Sequence, residues 1–357
     1  MDNDQSIRRL FQYASTYKFE EFEQIFFQFE SVLPFEVFWE AYLIRAQIKL
    51  HISDPTFFDD LEKTKRAGKQ AQFPLLNTVW RADAPNRFIV FYKRPGVLQE
   101  FLNKLEGADS MMAEWYGDQG VNMVCQLRSE IYYFMGDAPK TLELAREQLQ
   151  THHESGTDAI LAQCIGFRSY LAFGSQKEAE QCMLDMIRLS RTCPDCMAPY
   201  QALRLWANIT TSWNGDSQRF YEGESGQKLP VLEDRLESIR SGAPRTTPLE
   251  KPFVEYTAAI CEDTYTVRQY YVDLFHAMYW LSVGDRAQAQ SYFFKLYEIA
   301  MASDVIMPFV ECGEQIVPLL QYIQNSGANC SHEWLTRVIF MATQYERNLN
   351  IYRDILN

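Results

Sequence analysis

The 357-residue sequence has no apolar run close to the roughly 20 residues that a membrane-spanning helix needs. Its first ten residues, MDNDQSIRRL, are polar and lack the apolar core of a secretory signal. The eight cysteines are scattered along a chain that is too long to resemble a small disulfide-stabilised domain. These absences predict a soluble cytoplasmic protein with reduced thiols.

Basic residues are in the minority, since 34 Lys and Arg face 47 Asp and Glu and the formal net charge is −13. Nucleic acids are bound by clustered Lys and Arg that neutralise phosphates, and anionic membrane surfaces attract the same residues. We therefore predict that the chain binds neither nucleic acid nor membranes directly. Its 47% hydrophobic content is ample for a packed interior.

Motifs that carry catalysis are also missing. The sequence contains no GxxxxGK loop followed by Ser or Thr, and no GxSxG, HExxH or EF-hand pattern. We therefore predict that the chain is not an enzyme and has neither catalytic residues nor a cofactor.

The sharpest local motif is Cys193-Pro194-Asp195-Cys196, whose CxxC spacing suits a redox dithiol or half of a zinc site. A zinc site needs two more ligands, and no second CxxC or HxxxH supplies them. We interpret the motif as two cysteines in a turn between helices, one of them packed, and predict no metal site. A thiol-dependent enzyme or zinc protein is the less favoured alternative.

Apolar residues at helical spacing occur almost throughout the chain. They recur every three or four positions over residues 267–281 and again over residues 287–300. Between the two runs, Gly284 permits a left-handed turn and Asp285 can cap the second helix. These features predict an antiparallel helical hairpin whose two apolar faces both need a neighbour.

Four breaks contain glycine; the first three are 38 and 41 residues apart, a period near 40, and the fourth follows after 69, close to two short units or one unit with an insertion. They are Gly136-Asp137, Gly174-Ser175, Asn214-Gly215-Asp216 and Gly284-Asp285. A helix on each side of such breaks predicts an all-α fold, a tetratricopeptide-like α-solenoid of antiparallel hairpins that forms a curved superhelix. We expect N-terminal helical repeats and a connector over 1–94, central repeats over 95–240, a loop or insertion over 241–264, and C-terminal repeats with terminal helices over 265–357.

Local patterns predict further elements. Four N-terminal helices are expected over Asp4–Ser15, over Phe19–Ser31, from Pro34, and from Asp54-Pro55 to about Gly68. Phe88–Tyr92 has the pattern of a short buried strand, but its isolation favours an extended or helical connector. A break at Gly117–Gly120 is expected to precede a helix over Val121–Met135.

Candidate binding residues come from the faces of the predicted helices. Adjacent aromatic residues force one ring away from the apolar stripe, where it can line a concave face, although most such rings belong to a core. Charged and polar side chains on the first helix of each pair are further candidates, with a solvated or paired surface group as the alternative. The predicted ligand- or partner-binding residues are Arg128, Glu130, Tyr133, Arg168, Arg204, Tyr271, Asp273, His276 and Glu311.

Several stretches resemble one known family. Met307 to Gly313 (MPFVECG), followed by Val317-Pro318-Leu319-Leu320, is similar to the signature MPF.E.G...LPLL in the helical repeats of MalT-type transcriptional regulators of the LuxR superfamily. Pro95 to Leu102 is similar to that family's PG.L.E.L stretch. Residues 120–137 resemble its first clear repeat, and Tyr345 to Leu349 resembles the linker before its DNA-binding helix-turn-helix.

The resemblance implies an inducer-sensing and partner-binding superhelix without catalytic activity. In that family, full-length members are similar to a three-part protein with an N-terminal P-loop ATPase, these repeats and a C-terminal DNA-binding helix-turn-helix. This sequence has no Walker motif and ends at Asn357, so we expect either a free-standing sensor-like protein or a fragment of such a regulator.

The expected function is a non-catalytic signal-sensing or interaction module that binds a small effector or a protein partner on its concave face. A homodimer is one expected form of association. The alternative is a structural adaptor or homo-oligomerisation scaffold.

Overall fold

The structure is a computed structural model that describes residues 3–16, 18–65, 71–76, 87, 89–151, 156–197, 200, 203 and 263–356. Over these residues the chain is mostly helical, with fifteen α-helices and one small sheet, which confirms the helical character expected from the sequence. None of the described helices is both long and apolar enough to cross a membrane. Arg204, the predicted break at 214–216 and nearly all of the predicted loop 241–264 lie outside the described residues.

Helices and strands follow one another along the chain in a simple order. The helices are α1 (Asn3–Ser15), α2 (Phe19–Glu30), α3 (Phe35–His51), α4 (Phe57–Thr64), α5 (Val97–Glu106), α6 (Asp109–Tyr116), α7 (Asp118–Met135), α8 (Ala138–Thr151), α9 (Thr157–Phe173), α10 (Gln176–Thr192), α11 (Val267–Ser282), α12 (Arg286–Ser303), α13 (Met307–Val310), α14 (Val317–Asn325) and α15 (His332–Leu356). The strands are β1 (Val90–Tyr92) and β2 (Thr264–Thr266), and short 3-10 turns occupy Pro194–Cys196 and Gly313–Ile316.

The predicted hairpin is formed by α11 and α12. Asp273 near the start of α11 contacts Lys295 in the second half of α12, whereas His276 stacks on Tyr292 one turn earlier. Contacts that advance along one helix and retreat along the other define an antiparallel pair. Gly284 supplies the left-handed turn with φ +87°, as predicted.

Side chains cap the first turns of several described helices. The Asp285 carboxylate accepts a hydrogen bond from the Gln288 backbone N–H at 3.0 Å, which confirms the predicted cap of α12. Ser175 and Thr266 accept equivalent bonds at the starts of α10 and α11. Each cap satisfies a backbone N–H that has no partner within its own helix.

The segment Phe88–Tyr92 was expected to be a connector, and this expectation was wrong. Residues 90–92 form β1, which pairs antiparallel with β2 so that Phe91 lies opposite Tyr265. The strand looked isolated because its partner lies far along the chain, and local periodicity carries no information about such a partner.

The start of α7 also differs from the prediction, since the helix begins at Asp118 and not at Val121. Gly117, with φ +56°, makes the turn between α6 and α7. Gly120 lies inside the first turn of α7, where a Cβ atom would overlap the carbonyl oxygen of Met112. This second glycine therefore allows close approach of α6 and α7 and does not break the chain.

Two hydrophobic clusters meet at α3, which is buried around most of its circumference. Phe38 and Tyr42 belong to an N-terminal cluster with α1, α2 and β1. Trp39 and Leu43, on the other side of α3, belong to a larger cluster that extends to α15. A helix with two buried faces has no amphipathic stripe, and α3 is the shared wall between the clusters.

The C-terminal segments return to the central helices. The Ile306 backbone N–H donates to the Phe134 carbonyl at 2.8 Å, at the end of α7. The Asn348 side-chain amide donates to the Leu171 carbonyl at 2.8 Å, which joins α15 to α9. Packing between consecutive helices is therefore supplemented by contacts across long stretches of sequence.

The turn after α7 tests one of these contacts. Gly136 has φ +72°, and a Cβ atom there would lie 2.5 Å from Ile306 Cγ2, whereas a Cβ at Gly284 would meet nothing within 4 Å. Both alanine variants should lose about 1–2 kcal/mol through left-handed backbone strain. We expect Gly136→Ala to lower the free energy of unfolding in urea by clearly more than Gly284→Ala. Equal losses would contradict the contact with Ile306.

A buried histidine makes the N-terminal half sensitive to acid. His51 is fully buried, and its Nε2 atom donates to the Leu76 carbonyl at 3.2 Å. Burial, and then the Arg87 cation, lowers the pKa of His51 to about 3. The unfolded-state pKa is near 6.5, so this stability is present above pH 6.5 and is lost as pH falls toward 3.

We therefore expect the free energy of unfolding to fall by roughly 2 kcal/mol between pH 7 and pH 5 through this one group. His51→Gln should remove that part of the pH dependence in urea unfolding. His332→Gln, at the exposed start of α15, is the matched control and should behave as the wild type. An unchanged pH dependence in His51→Gln would refute the assignment.

Candidate functional site

Glu311 lies at the centre of the best-defined polar site in the described part of the chain. It directly follows α13, a short helix that has Pro308 in its first turn. Gly313, with φ +58°, then turns the chain, and a Cβ atom at that position would overlap the Glu346 carboxylate. The Pro and Gly of the Met307–Gly313 stretch therefore both have structural reasons to flank Glu311.

Four polar side chains meet at this point and form what we call the Glu311 cluster. The Glu311 Oε1 atom accepts hydrogen bonds from Arg168 Nη2 at 2.8 Å and from the Tyr133 hydroxyl. The Oε2 atom accepts a hydrogen bond from the Tyr271 hydroxyl. Tyr133 comes from α7, Arg168 from α9 and Tyr271 from α11, so the carboxylate joins three helices that are remote in sequence.

The cluster is removed from solvent, since the side chains of Arg168 and Glu311 both have 0% exposure. Moving an ion into such an environment costs several kcal/mol, which only good geometry and additional hydrogen bonds offset. The Arg168 guanidinium also lies 4.6 Å from the centroid of the Tyr133 ring, a favourable cation–π distance. The pair is therefore held by hydrogen bonds and aromatic contacts together.

The two phenols and the guanidinium of the cluster strongly favour their protonated forms. Burial, and then the Glu311 charge, raises the pKa of Tyr133 and of Tyr271 well above its ordinary value. Burial alone would lower the pKa of Arg168, but Glu311 and the tyrosines outweigh it and raise that pKa well above its usual range. Neither the phenols nor the guanidinium is poised to exchange a proton near neutral pH. The arrangement suits anchoring better than acid–base chemistry.

Tyr345 of α15 closes the cluster and was missed as a site residue in the sequence. Its pKa is raised well above the ordinary value by burial, and then by Tyr133 and Glu311. The Tyr345 hydroxyl is buried and has no hydrogen-bond partner in the part of the chain that the structure describes. The sequence signal was available in the apolar spacing of α15, because Val338, Ala342, Tyr345 and Leu349 all lie on its buried face.

The remaining α7 candidates lie outside the Glu311 cluster. Arg128 is partly buried and forms an ion pair with Asp109 at 3.2 Å, which ties α7 to α6. Glu130 is buried and accepts a hydrogen bond from the Arg87 backbone N–H at 2.6 Å. Both were expected on an exposed concave face. The structure differs because neighbouring segments cover this side of α7.

A second buried polar group surrounds Arg87, which no sequence pattern singled out. The Arg87 Nε atom donates to the Gln126 side-chain oxygen, and Nη2 lies 3.3 Å from Asp158 Oδ1. Burial lowers the pKa of Arg87, whereas Asp158 and Glu130 act in the opposite direction. Arg87 thus links the segment before β1 to α7 and α9.

The α11–α12 hairpin and the adjoining β1–β2 pair contribute a partly exposed set of polar and aromatic residues, which we call the α11–α12 polar face. Its members are Lys93, Tyr265, Asp273, His276, Tyr292 and Lys295. Asp273 is 3% exposed, whereas 48% of the Lys295 side chain is exposed. The two ammonium groups of this face lie 4.9 and 5.5 Å from the centroid of the Tyr265 ring.

Two titratable groups lie beneath these cations. Burial raises the pKa of Asp273, and the 2.8 Å ion pair with Lys295 opposes that effect. Burial lowers the pKa of His276, which Asp273 opposes. The His276 ring stacks on Tyr292 with centroids 4.9 Å apart. A cationic and aromatic surface therefore rests on a buried carboxylate and imidazole.

The CxxC motif lies in the 3-10 turn that follows α10. Cys193 is partly exposed, whereas Cys196 is buried and its thiol donates to the Gly156 carbonyl at 3.3 Å. All seven cysteines in the described segments are free thiols. No group of three or more His, Cys, Asp or Glu in those segments is arranged to hold a metal ion. The placement agrees with two turn cysteines, one of them packed.

The Arg168–Glu311 pair can be tested by a double-mutant cycle. Arg168→Met or Glu311→Leu alone strands an uncompensated buried charge, so each should lower the free energy of unfolding by about 3–5 kcal/mol. The double variant strands no charge and should lose clearly less than the sum of the two single losses. Urea unfolding of the four proteins gives the coupling, and additive losses would refute a direct pair.

No protein-family model, curated protein or solved structure matches this chain.

Proposed function

We propose that the chain is a non-catalytic signal-sensing and interaction module, built as a tetratricopeptide-like α-solenoid that binds a small effector or protein partner on its concave face. The observation that carries this proposal is the Glu311 cluster, which connects the α11–α12 hairpin to the central helices. The free thiols of the described cysteines fit the cytoplasmic location that we propose for it.

Pairing of consecutive helices supports the repeat architecture. Within α9–α10, Cys164 contacts Met186, and Gly166 lies beside Cys182, so the two helices run antiparallel. The α7–α8 pair packs across the Gly136 turn in the same way, as does α11–α12 across its own glycine turn. Pairs of this type, stacked side by side, are the units of α-solenoids.

The position of Glu311 supports a sensing role. Its carboxylate bonds to residues of α7, α9 and α11, so the relative position of these helices depends on a few short contacts. A ligand that contacts two of these helices would act on the same geometry. Glu311 also lies in the stretch that resembles the MPF.E.G signature of MalT-type regulators, which supports a function of that type.

The α11–α12 polar face is the surface that we assign to the effector or partner. Lys93 and Lys295 are exposed cations beside the buried Tyr265 ring, and the Tyr292 ring is half-buried. Cationic groups next to aromatic faces suit a ligand with a negatively charged group attached to a planar or apolar part. Two of the residues predicted from sequence, Asp273 and His276, support this face from below.

Exposed apolar side chains favour one alternative, a homo-oligomerisation scaffold. Large apolar residues with more than half of their surface exposed are Phe27, Val32, Leu184, Val283, Met301 and Phe340. Val32 and Phe340 reach 72% and 70% exposure. Single exposed apolar residues are ordinary on monomers, whereas a contiguous patch of them marks an interface. A second copy of the chain would cover them in this alternative.

Thermal unfolding in the presence of a metabolite panel tests the proposal. A ligand of the proposed face should stabilise the wild type by about 2.7 kcal/mol at 100 times its Kd. Lys295→Gln should abolish the stabilisation, because it removes a cation of that face. The variant also leaves Asp273 without its 2.8 Å partner, so the ligand effect is measured relative to the ligand-free variant. Lys140→Gln, an exposed lysine on α8, is the matched control and should keep it.

The proposal fails if no compound stabilises the wild type, or if Lys295→Gln responds as strongly as the wild type. An empty panel together with a concentration-dependent dimer in light scattering would favour the scaffold. Phe340→Gln should then weaken the dimer.

A further inference from the structure

The outer face of α1 carries polar and cationic side chains that line a groove. Gln5, Arg8, Arg9, Gln12 and Thr16 follow one another at helical spacing, and Tyr13 and Lys18 complete the lining. The groove has a volume of about 570 Å³. Sites for small ligands typically have volumes of roughly 300–1,000 Å³.

The charge of this groove differs from that of the chain as a whole. Three of its seven lining residues are cationic, and none is acidic. Arg8, Arg9 and Lys18 form no ion pair with any carboxylate in the described part of the chain. Other cations there, such as Arg45 and Lys49, are paired with carboxylates. The chain as a whole has a net charge of −13. Three cations without an acidic neighbour in the groove nevertheless favour the binding of anions there.

One of the guanidinium groups is held in place by its own helix. The Nε and Nη2 atoms of Arg9 donate to the Tyr13 hydroxyl at 3.2 and 3.1 Å, and the guanidinium carbon lies 5.5 Å from the Tyr13 ring centroid. The remaining N–H groups of Arg9 are available to an acceptor in the groove. A side chain that is already ordered loses less entropy when a ligand binds.

We propose that the α1 groove binds a small molecule that carries at least two phosphate groups. Guanidinium groups match phosphate oxygens in a two-point geometry, and a lysine adds a point charge. Lys18 follows the end of α1, where its backbone N–H donates to the Tyr13 carbonyl at 2.9 Å. It lines the same groove as Arg8 and Arg9, so separate anionic groups of one ligand can each meet a cation. The proposal goes beyond the proposed function, because α1 belongs to the N-terminal cluster and the α11–α12 face does not.

Isothermal titration calorimetry with pyrophosphate tests the proposal on the full chain. The wild type should bind pyrophosphate more tightly than inorganic phosphate, and binding should weaken as salt is added. The triple variant Arg8→Gln/Arg9→Gln/Lys18→Gln should bind at least about tenfold more weakly, because it removes every cation of the groove. All three side chains are exposed, so the core is untouched, and circular dichroism verifies the fold.

A second triple variant, Lys140→Gln/Lys177→Gln/Arg191→Gln, changes the net charge equally at exposed positions on α8 and α10. It should weaken binding by less than about twofold. Tyr13→Phe, which releases Arg9, should give an intermediate loss.

Three results would overturn the proposal. One is the absence of pyrophosphate binding to the wild type, and another is an equal loss in both triple variants, which would indicate a net-charge effect. The third is co-sedimentation of the protein with phosphatidylglycerol vesicles when calorimetry shows no binding of pyrophosphate. That result would assign the groove cations to a membrane surface. Lys295→Gln tests metabolite binding to the α11–α12 polar face and leaves the cations of the α1 groove in place. Either proposal can therefore fail while the other stands.

Discussion

A single buried carboxylate determines how the helices of this protein are placed. Glu311 accepts hydrogen bonds from Tyr133, Arg168 and Tyr271, and each donor belongs to a different helix. An ion pair without solvent tolerates little displacement, because a stretched contact leaves two desolvated charges without compensation. Apolar packing alone permits helices to slide past one another more easily. We therefore regard the Glu311 cluster as the feature that selects one arrangement of the α7–α9 and α11–α12 helices.

Helices from the N-terminal and the C-terminal parts of the chain pack around the helices that Glu311 joins. Toward the N-terminus, α3 separates two hydrophobic clusters and contributes Phe38 to one and Trp39 to the other. Toward the C-terminus, α15 packs on α9 and α10 and places Tyr345 against the cluster. The surfaces to which we assign ligands lie on the outside of this framework. The framework supplies rigidity, and the exposed cations of α1 and of the α11–α12 face supply chemistry.

The sequence predicted local features well because their causes are local. Helical periodicity, the Gly284 turn and the Asp285 cap depend on residues within a few positions of one another. It also selected the four residues that meet in the Glu311 cluster, but as candidate ligand- or partner-binding residues, whereas the structure buries them against one another. Periodicity identifies the face on which a side chain lies and does not reveal what covers that face. For the same reason β1 lacked a visible partner, and Tyr345 was not predicted as a site residue.

The β1–β2 pair has a consequence for the order of folding. It joins residues 90–92 to residues 264–266, so the whole central part of the chain lies within one closed loop. Closing a loop of this length carries an entropic penalty that only later contacts offset, and such pairings form slowly. During synthesis, α1 to α4 leave the ribosome long before β2 exists. The β1 edge that β2 will cover therefore stays unpaired until residues 264–266 have been made.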